Sequence, residues 1–263
     1  MSAIRVGTSA FTAAGWEGSF YPAGMKPADY LTYYATKFNT VEVDSTFYRA
    51  PAVSTVKGWA SKTPPGFVFA LKVPQTITHE KVLLECESDL KYFVETADNL
   101  GDKLGPMLLQ FPYFNKMAFK TGDEFLARLK PFLKCLPKDH SFALEIRNKA
   151  WLAEEFAELL RERGVCLALQ DQSWMPLPWQ MNFDYLTGPF AYMRLLGDRK
   201  GIEKQTKIWD KVIVKRTREL RNWVDVCEKT TKRGANTFVY INNHFSGHAP
   251  ATVQEFLKLW NAK

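Results

Sequence analysis

Residues that can move protons or hold anions recur in this sequence at the ends of short apolar runs. The runs close on Thr8 and Ser9; Glu42 and Asp44; Lys72; Gln110; Glu145 and Arg147; Gln170 and Asp171; Arg194; and Asn242, Asn243 and His244. Carboxylates gathered in one place need cations or hydrogen-bond donors beside them, and such groups are where pKa values become tuned for acid/base work. On that chemistry Glu42, Glu145, Asp171 and Lys72 are the candidate catalytic groups. Arg147 and Arg194 stabilise negative charge, and Gln110, Asn242 and Asn243 bind substrate. His79, at the end of Lys72-Val73-Pro74-Gln75-Thr76-Ile77-Thr78-His79, sits in a loop from which an imidazole reaches the same place. The structural alternative is a salt-bridged polar layer, with Glu145 paired to Arg147 or to a cation on a neighbouring strand.

Other chemistries find less support. There is no G-x-S-x-G elbow, P-loop or G-x-G-x-x-G, so neither a serine hydrolase nor a dinucleotide enzyme is indicated. His244 and His248 are four apart, but no Glu follows the first, and Gly247 marks a strand-to-helix turn. The chain holds four histidines, too few for a multi-histidine metal cluster. No cofactor is evident, and a carboxylate-bound Mg2+ or Mn2+ stays open as an alternative. Cys86, Cys135, Cys166 and Cys227 form no C-x-x-C pair and read as buried thiols in a reducing compartment.

These residues need a scaffold that brings strand ends together. Strands are expected at Ile4–Thr8, Thr40–Val43, Phe67–Lys72, Pro106–Gln110, Phe142–Glu145, Val165–Gln170, Ala191–Leu195 and Thr237–Ile241. Helical patterns at 27–37, 52–62, 82–100, 122–133, 151–163, 208–230 and 250–261 alternate with them. In 82–100 Leu90, Phe93, Val94, Ala97 and Leu100 make one apolar stripe, and Gly164 closes 151–163 as a C-cap. The segment 172–190, with Trp174, Pro176, Pro178 and Trp179, is expected to replace or shorten the sixth helix. Eight βα units in 263 residues predict one α/β domain over 1–263, a TIM-type (β/α)8 barrel with its site at the C-terminal strand ends. An open doubly wound sheet is the runner-up.

Composition fits a folded globular chain: 46% hydrophobic and 24% charged residues. No apolar run approaches the ~18 residues of a membrane span, which predicts a cytoplasmic protein with no membrane partner. The net charge of +7 is concentrated between Arg199 and Arg221, in the loop after the seventh strand, where barrels often hold phosphate. Aromatic residues in or beside the strand-end loops, Tyr21, Phe47, Tyr48, Trp151, Trp174 and Trp179, either stack on a sugar or base or fill space between barrel and helices.

Several stretches carry a family resemblance. They are Val6-Gly7-Thr8-Ser9, Phe20-Tyr21-Pro22, Phe38 through Tyr48 with its V-E-x-x-S-T-F-Y core, Ile77-Thr78-His79, Leu104-Gly105-Pro106 through Gln110-Phe111-Pro112, Glu145-Ile146-Arg147 with Trp151, and Tyr240 through His244. In order, over essentially the whole chain, they resemble the YecE-like family, a domain of unknown function. The resemblance implies a TIM barrel without a settled activity, and the likeness of such barrels to endonuclease IV-like and sugar-isomerase-like proteins has made nucleic-acid binding one proposal. It maps polar motif positions onto Glu42, Ser45, Tyr48, His79, Gln110, Glu145, Arg147, Arg194 and Asn243, adding Ser45 and Tyr48 to the substrate-binding set. Asp44 stands where the family usually has Asn, Ala10-Phe11 replaces Gly-Trp, and Leu196 replaces a His.

Three functions follow as expectations. The first is a hydrolase or lyase acting on a phosphate-bearing substrate, a small molecule or nucleic acid. The second is a carbohydrate-active or sugar-isomerising barrel with Glu42 and Glu145 as its carboxylate pair. The third is a ligand-binding barrel without catalysis.

Overall fold

A computed structural model describes residues 3–263, so Met1 and Ser2 of the expected 1–263 unit lie outside the described residues. Eight strands form one parallel sheet: β1 (Ile4–Thr8), β2 (Thr40–Val43), β3 (Val68–Lys72), β4 (Leu104–Gln110), β5 (Phe142–Glu145), β6 (Cys166–Gln172), β7 (Phe190–Gly197) and β8 (Asn236–Ile241). Their order is β1-β8-β7-β6-β5-β4-β3-β2, and β1 pairs with β8 from Ile4↔Thr237 to Thr8↔Ile241. The sheet curls into a nearly closed TIM-type barrel, which bears out the (β/α)8 expectation over the open-sheet one.

The last gap, between β1 and β2, is bridged by a side chain. The Tyr34 hydroxyl accepts from the Thr8 amide at 2.9 Å and reaches the Thr40 carbonyl at 3.1 Å. Gly7 makes the approach possible, since a Cβ there would stand 2.1 Å from the Thr40 carbonyl oxygen. One fully buried phenol thus links two strand backbones that share no ladder.

Nine α-helical segments surround the strands among the described residues: α1 (Tyr30–Ala35), α2 (Val53–Ser61), α3 (Glu87–Ala97), α4 (Gly122–Cys135), α5 (Glu154–Arg161), α6 (Arg199–Glu203), α7 (Thr217–Lys232), α8 (Asn243–Ser246) and α9 (Ala249–Asn261). Local chemistry sets several ends. The Thr121 side chain caps α4 by accepting from the Glu124 amide, and Gly164, at φ +64, follows α5 as expected. Between β6 and β7 only the single turn Pro178–Gln180 is helical, so the sixth helix is indeed missing. Among the described residues no helix is long and apolar enough to cross a membrane.

Two expected helices are shorter than their apolar patterns. The 82–100 pattern forms α3 only from Glu87, because Val82, Leu83 and Glu85 take positive φ. The 208–230 pattern forms α7 only from Thr217. Residues 204–216 instead run as a strap whose Trp209 amide donates to Ala14 O and whose Ile213 and Val214 amides donate to Ser246 O. Cys86, Cys166 and Cys227 are buried, but Cys135 ends α4 exposed, correcting the expectation of four buried thiols.

Period-2 alternation divides each strand between two cores. Outward residues such as Val41, Leu71, Leu109, Leu144, Leu169, Met193 and Val239 pack under the helices. Inward, Ala70, Leu108, Ala143, Ala168, Tyr192 and Tyr240 fill the lower barrel. Two residues further along their strands come Lys72, Gln110, Glu145, Gln170, Arg194 and Asn242. A polar layer therefore sits directly on an apolar plug.

Candidate functional site

Arg194, inward on β7 and fully buried, organises the polar layer. Its Nε and Nη2 donate to Glu42 on β2 at 2.9 and 2.8 Å, and its Nη1 donates to Glu145 Oε2 on β5 at 2.7 Å. Nη2 also reaches Asp44 Oδ1 at 3.2 Å. The Tyr192 hydroxyl donates to Glu42 Oε2, and Arg147 Nε donates to Glu145 Oε1 at 3.1 Å. All four oxygens of the two glutamates are engaged, and neither residue is exposed. The three small residues Ala70, Ala143 and Ala168 below leave room for this cross-barrel network.

Burial is the main influence on Glu42, Glu145, Tyr192 and Arg194. It pushes Glu42 up, against the opposing pull of Arg194, and Asp44 adds to the rise. Glu145 feels the same burial but lies below its ordinary value, because Arg194 and Arg147 together outweigh it. Burial and the neighbouring Glu42 push Tyr192 well up, so its hydroxyl keeps its proton and acts as a donor. Arg194 stays charged, held by Glu42, Glu145 and Asp44 against its burial.

Nearer solvent the partners thin out. Lys72 ends β3 with its Nζ 3.8 Å from the centroid of the Phe47 ring, and among the described residues no carboxylate oxygen lies within salt-bridge distance of it. Burial lowers its pKa, with Asp44 opposing. The His79 ring meets the same Phe47 edge-on at 4.8 Å, and its Nδ1 is 2.8 Å from Thr78 Oγ1. Burial, then the positive charges of Lys72 and Arg147, bring His79 down to about 4, so it is neutral at pH 7. Arg147 is partly exposed and binds Glu145 through Nε, leaving its terminal nitrogens without partners among the described residues. Gln170 donates to Ile146 O at 2.7 Å, which leaves its buried Oε1 unpaired.

The structure thus brings Glu42, Glu145, Arg194, Arg147, Lys72 and His79 into one electrostatic group at the C-terminal strand ends. Gln110 belongs to the same layer but donates to Phe111 O. Ser45 and Tyr48 lie exposed on the turn after β2, Tyr48 packed edge-on against Phe47. Asn242 and Asn243 are occupied locally. Asn242 Oδ1 accepts from the His244 amide, and Asn243 Oδ1 accepts from Trp16 Nε1 and the Ala249 amide.

Asp171 does not join them. It follows inward-facing Gln170, so strand alternation turns it outward, where its Oδ2 accepts from Trp223 Nε1 of α7 at 2.7 Å. Burial raises its pKa there. The histidine pair is also occupied: His244 lies between Asn242 and Glu203, and His248 caps α9 by accepting from the Ala251 amide. Among the described residues no three His, Cys, Asp or Glu side chains converge as metal ligands would. Of the aromatic candidates, Tyr21 stacks on Tyr30, Trp151 packs on Phe125, Trp179 packs on Trp223 and Trp174 is exposed after β6, leaving Phe47, with Tyr48 packed against it, at the site. Sequence reasoning passed over Tyr192, although its place two residues before Arg194 marks it as inward.

Comparisons with known proteins agree with this architecture. The family described as "Protein of unknown function DUF72" matches residues 5–263. UPF0759 protein YecE of Escherichia coli is 30% identical over 135 residues, 51% of this chain and 47% of that protein, so the matched region is about half the length of this curated relative. A crystal structure of a DUF72 family protein from Thermotoga maritima superposes with a TM-score of 0.78 at 27% identity, over 98% of this chain and 99% of that one. D-psicose 3-epimerase shares the fold alone, at a TM-score of 0.54 and 10% identity over 90% of this chain and 84% of that one.

Proposed function

The chain belongs to the DUF72 family, and from that premise we propose that it is an enzyme of lyase or hydrolase type taking a phosphate-bearing substrate at the barrel mouth. The observation that carries this reading is the division of labour around Glu145. Its carboxylate accepts from both Arg194 and Arg147, and among the described residues neither the Arg147 terminal nitrogens nor the Lys72 amine has an anionic partner. Such a planar cation suits bidentate contact with a phosphate, and Lys72 supplies a compact second charge. Glu42 and Glu145 are positioning residues in this scheme. Their saturated, buried oxygens offer nothing to a glycosidic bond, which leaves the carboxylate-pair reading without support.

Calorimetric titration with inorganic phosphate and pyrophosphate tests it. Wild-type protein should bind, and Arg147→Met and Lys72→Met should each weaken binding. Equal heats from wild type and both variants would remove the reading.

The basic strap favours the nucleic-acid version of this substrate. Of the nine cations between Arg199 and Arg221, Arg199 pairs with Glu203 and Arg216 with Glu219, while Lys200, Lys204, Lys207, Lys211, Lys215, Arg218 and Arg221 are exposed and, among the described residues, without ion-pair partners. The strap crosses the loops after β1 and β8, on the same face as the mouth. Labelled oligonucleotides should then bind with a steep salt dependence. Binding unaffected by charge reversal at Lys207, Lys211 and Lys215 would exclude the strap from that role.

A further inference from the structure

The Lys72 amine has a setting that anion binding alone does not require. Lysine is seldom buried unless paired, yet Lys72 is 9% exposed and its Nζ has no hydrogen-bond or ion-pair partner among the described residues. Its close contact is the Phe47 face, and the neutral His79 imidazole lies against the same ring. Asp44, Glu42, Glu145 and Arg194 all act on it electrostatically, yet the three carboxylates are all committed to Arg194. An amine kept from water and from carboxylates is the setting in which lysine serves as a nucleophile toward carbonyl carbon.

We propose that Lys72 forms an imine with a carbonyl compound whose phosphate is held by the free nitrogens of Arg147, making the mouth a Schiff-base site for a keto or aldehydo phosphate. The inference rests on the phosphate reading above and adds a covalent step to it. The Nζ lone pair adds to the carbonyl carbon, and a proton moves from nitrogen to oxygen to give a carbinolamine. Protonation of its hydroxyl lets it depart as water, and the nitrogen lone pair completes a protonated C=N bond. His79 is the residue beside Lys72 able to pass the proton, since its imidazole is neutral when the reaction begins. The protonated imine then accepts the electron pair of the carbon–carbon bond next to the former carbonyl carbon, giving an enamine, while the departing fragment loses its hydroxyl proton and leaves as an aldehyde. That proton returns to the enamine carbon to restore the iminium, and hydrolysis by one water releases the carbonyl product and the free amine. No oxidant, reductant or metal is consumed.

Reductive trapping tests the step. Intact protein is incubated with dihydroxyacetone phosphate or with dihydroxyacetone, reduced with sodium cyanoborohydride, and mapped by peptide mass spectrometry. Lys72 should carry the reduced adduct with the phosphate ester, in excess over any exposed lysine, and far less with dihydroxyacetone. Inorganic phosphate should compete, and Arg147→Met should reduce labelling. Lys72→Arg, checked for folding by circular dichroism, should lose that adduct and keep the background on exposed lysines.

Labelling spread over the surface with no enrichment at Lys72 would overturn the inference. Calorimetry with inorganic phosphate separates the two levels. If phosphate binds through Arg147 while Lys72 is unlabelled, the covalent step fails and the phosphate reading stands; if phosphate does not bind, both fall.

Discussion

The Tyr192 hydroxyl donates to Glu42 Oε2 at 2.5 Å, with both residues fully buried. That bond satisfies the carboxylate oxygen that Arg194 shares only through Nε. Tyr192→Phe should therefore cost about 1.5–3 kcal/mol, the usual contribution of a hydrogen bond to a charged group. Urea unfolding at pH 7 reads this directly, and a loss within a few tenths of zero would show that Arg194 alone satisfies Glu42.

Arg194→Met leaves Glu42 and Glu145 buried without their common cation. Breaking such a pair from one side costs about 3–5 kcal/mol, and two carboxylates are uncovered here. The variant should unfold at much lower denaturant or fail to accumulate. The triple change Arg194→Met, Glu42→Gln, Glu145→Gln should recover a large part of the loss, and if it does not, the charges are not what Arg194 balances.

His79 gives a pH signature. Its pKa in the fold is about 4 against an ordinary 6.5, so between those values the unfolded chain binds the extra proton. The stability it contributes is present above pH 6.5 and drains away as pH falls toward 4. By NMR its ring resonances should stay flat through pH 6 and move near pH 4. Lys72→Met should shift that midpoint upward by removing a neighbouring positive charge. A midpoint near 6.5 in the wild type would mean that His79 is solvated.

At the barrel seam, Tyr34→Phe strands the buried Thr8 amide, a loss of about 1–3 kcal/mol. Gly7→Ala should be worse, since its new Cβ meets the Thr40 backbone. Hydrogen exchange at the Thr8 amide should accelerate in Tyr34→Phe. Unchanged protection would show that the phenol is not what shields it.

Asp171→Asn should leave phosphate binding at the mouth intact, because the side chain faces α7 and the amide oxygen can still accept from Trp223. Asp171→Leu should instead cost about 1–3 kcal/mol through the orphaned indole. Weaker phosphate binding in the Asn variant, with unchanged stability, would place Asp171 back at the mouth.

The barrel and its strand ends were legible because alternation of short β-rich runs with helical patterns is a property of local sequence. Glu42, Lys72, Glu145 and Arg194 were found by asking what ends each run. Asp171 was misplaced because Gln170 and Asp171 were both assigned to the mouth, whereas adjacent strand residues point to opposite faces. Counting alternate positions back from Arg194 would have found Tyr192 as well. The partners themselves were less legible. Glu42 and Arg194 are 152 residues apart, and only barrel curvature brings β2 opposite β7. Asn242 and Asn243 looked like binding groups because polar side chains at strand ends serve ligands and backbone caps alike. The 82–86 break escaped notice because positive φ at Val82 and Leu83 is a tertiary outcome that valine and leucine do not announce.

The Tyr34 bridge also bears on how the chain is made. Since β1 has its ladder only with β8, a sequence separation of 233 parts Ala3 from the Asn236 side chain that accepts from its amide. On the ribosome β1 must wait for β8 before its backbone ladder forms, while β2 through β7 can zip together in sequence. The phenol of α1 can grip β1 at Thr8 in the meantime, which makes it a holding clasp for an exposed edge during synthesis as well as a seam in the finished barrel.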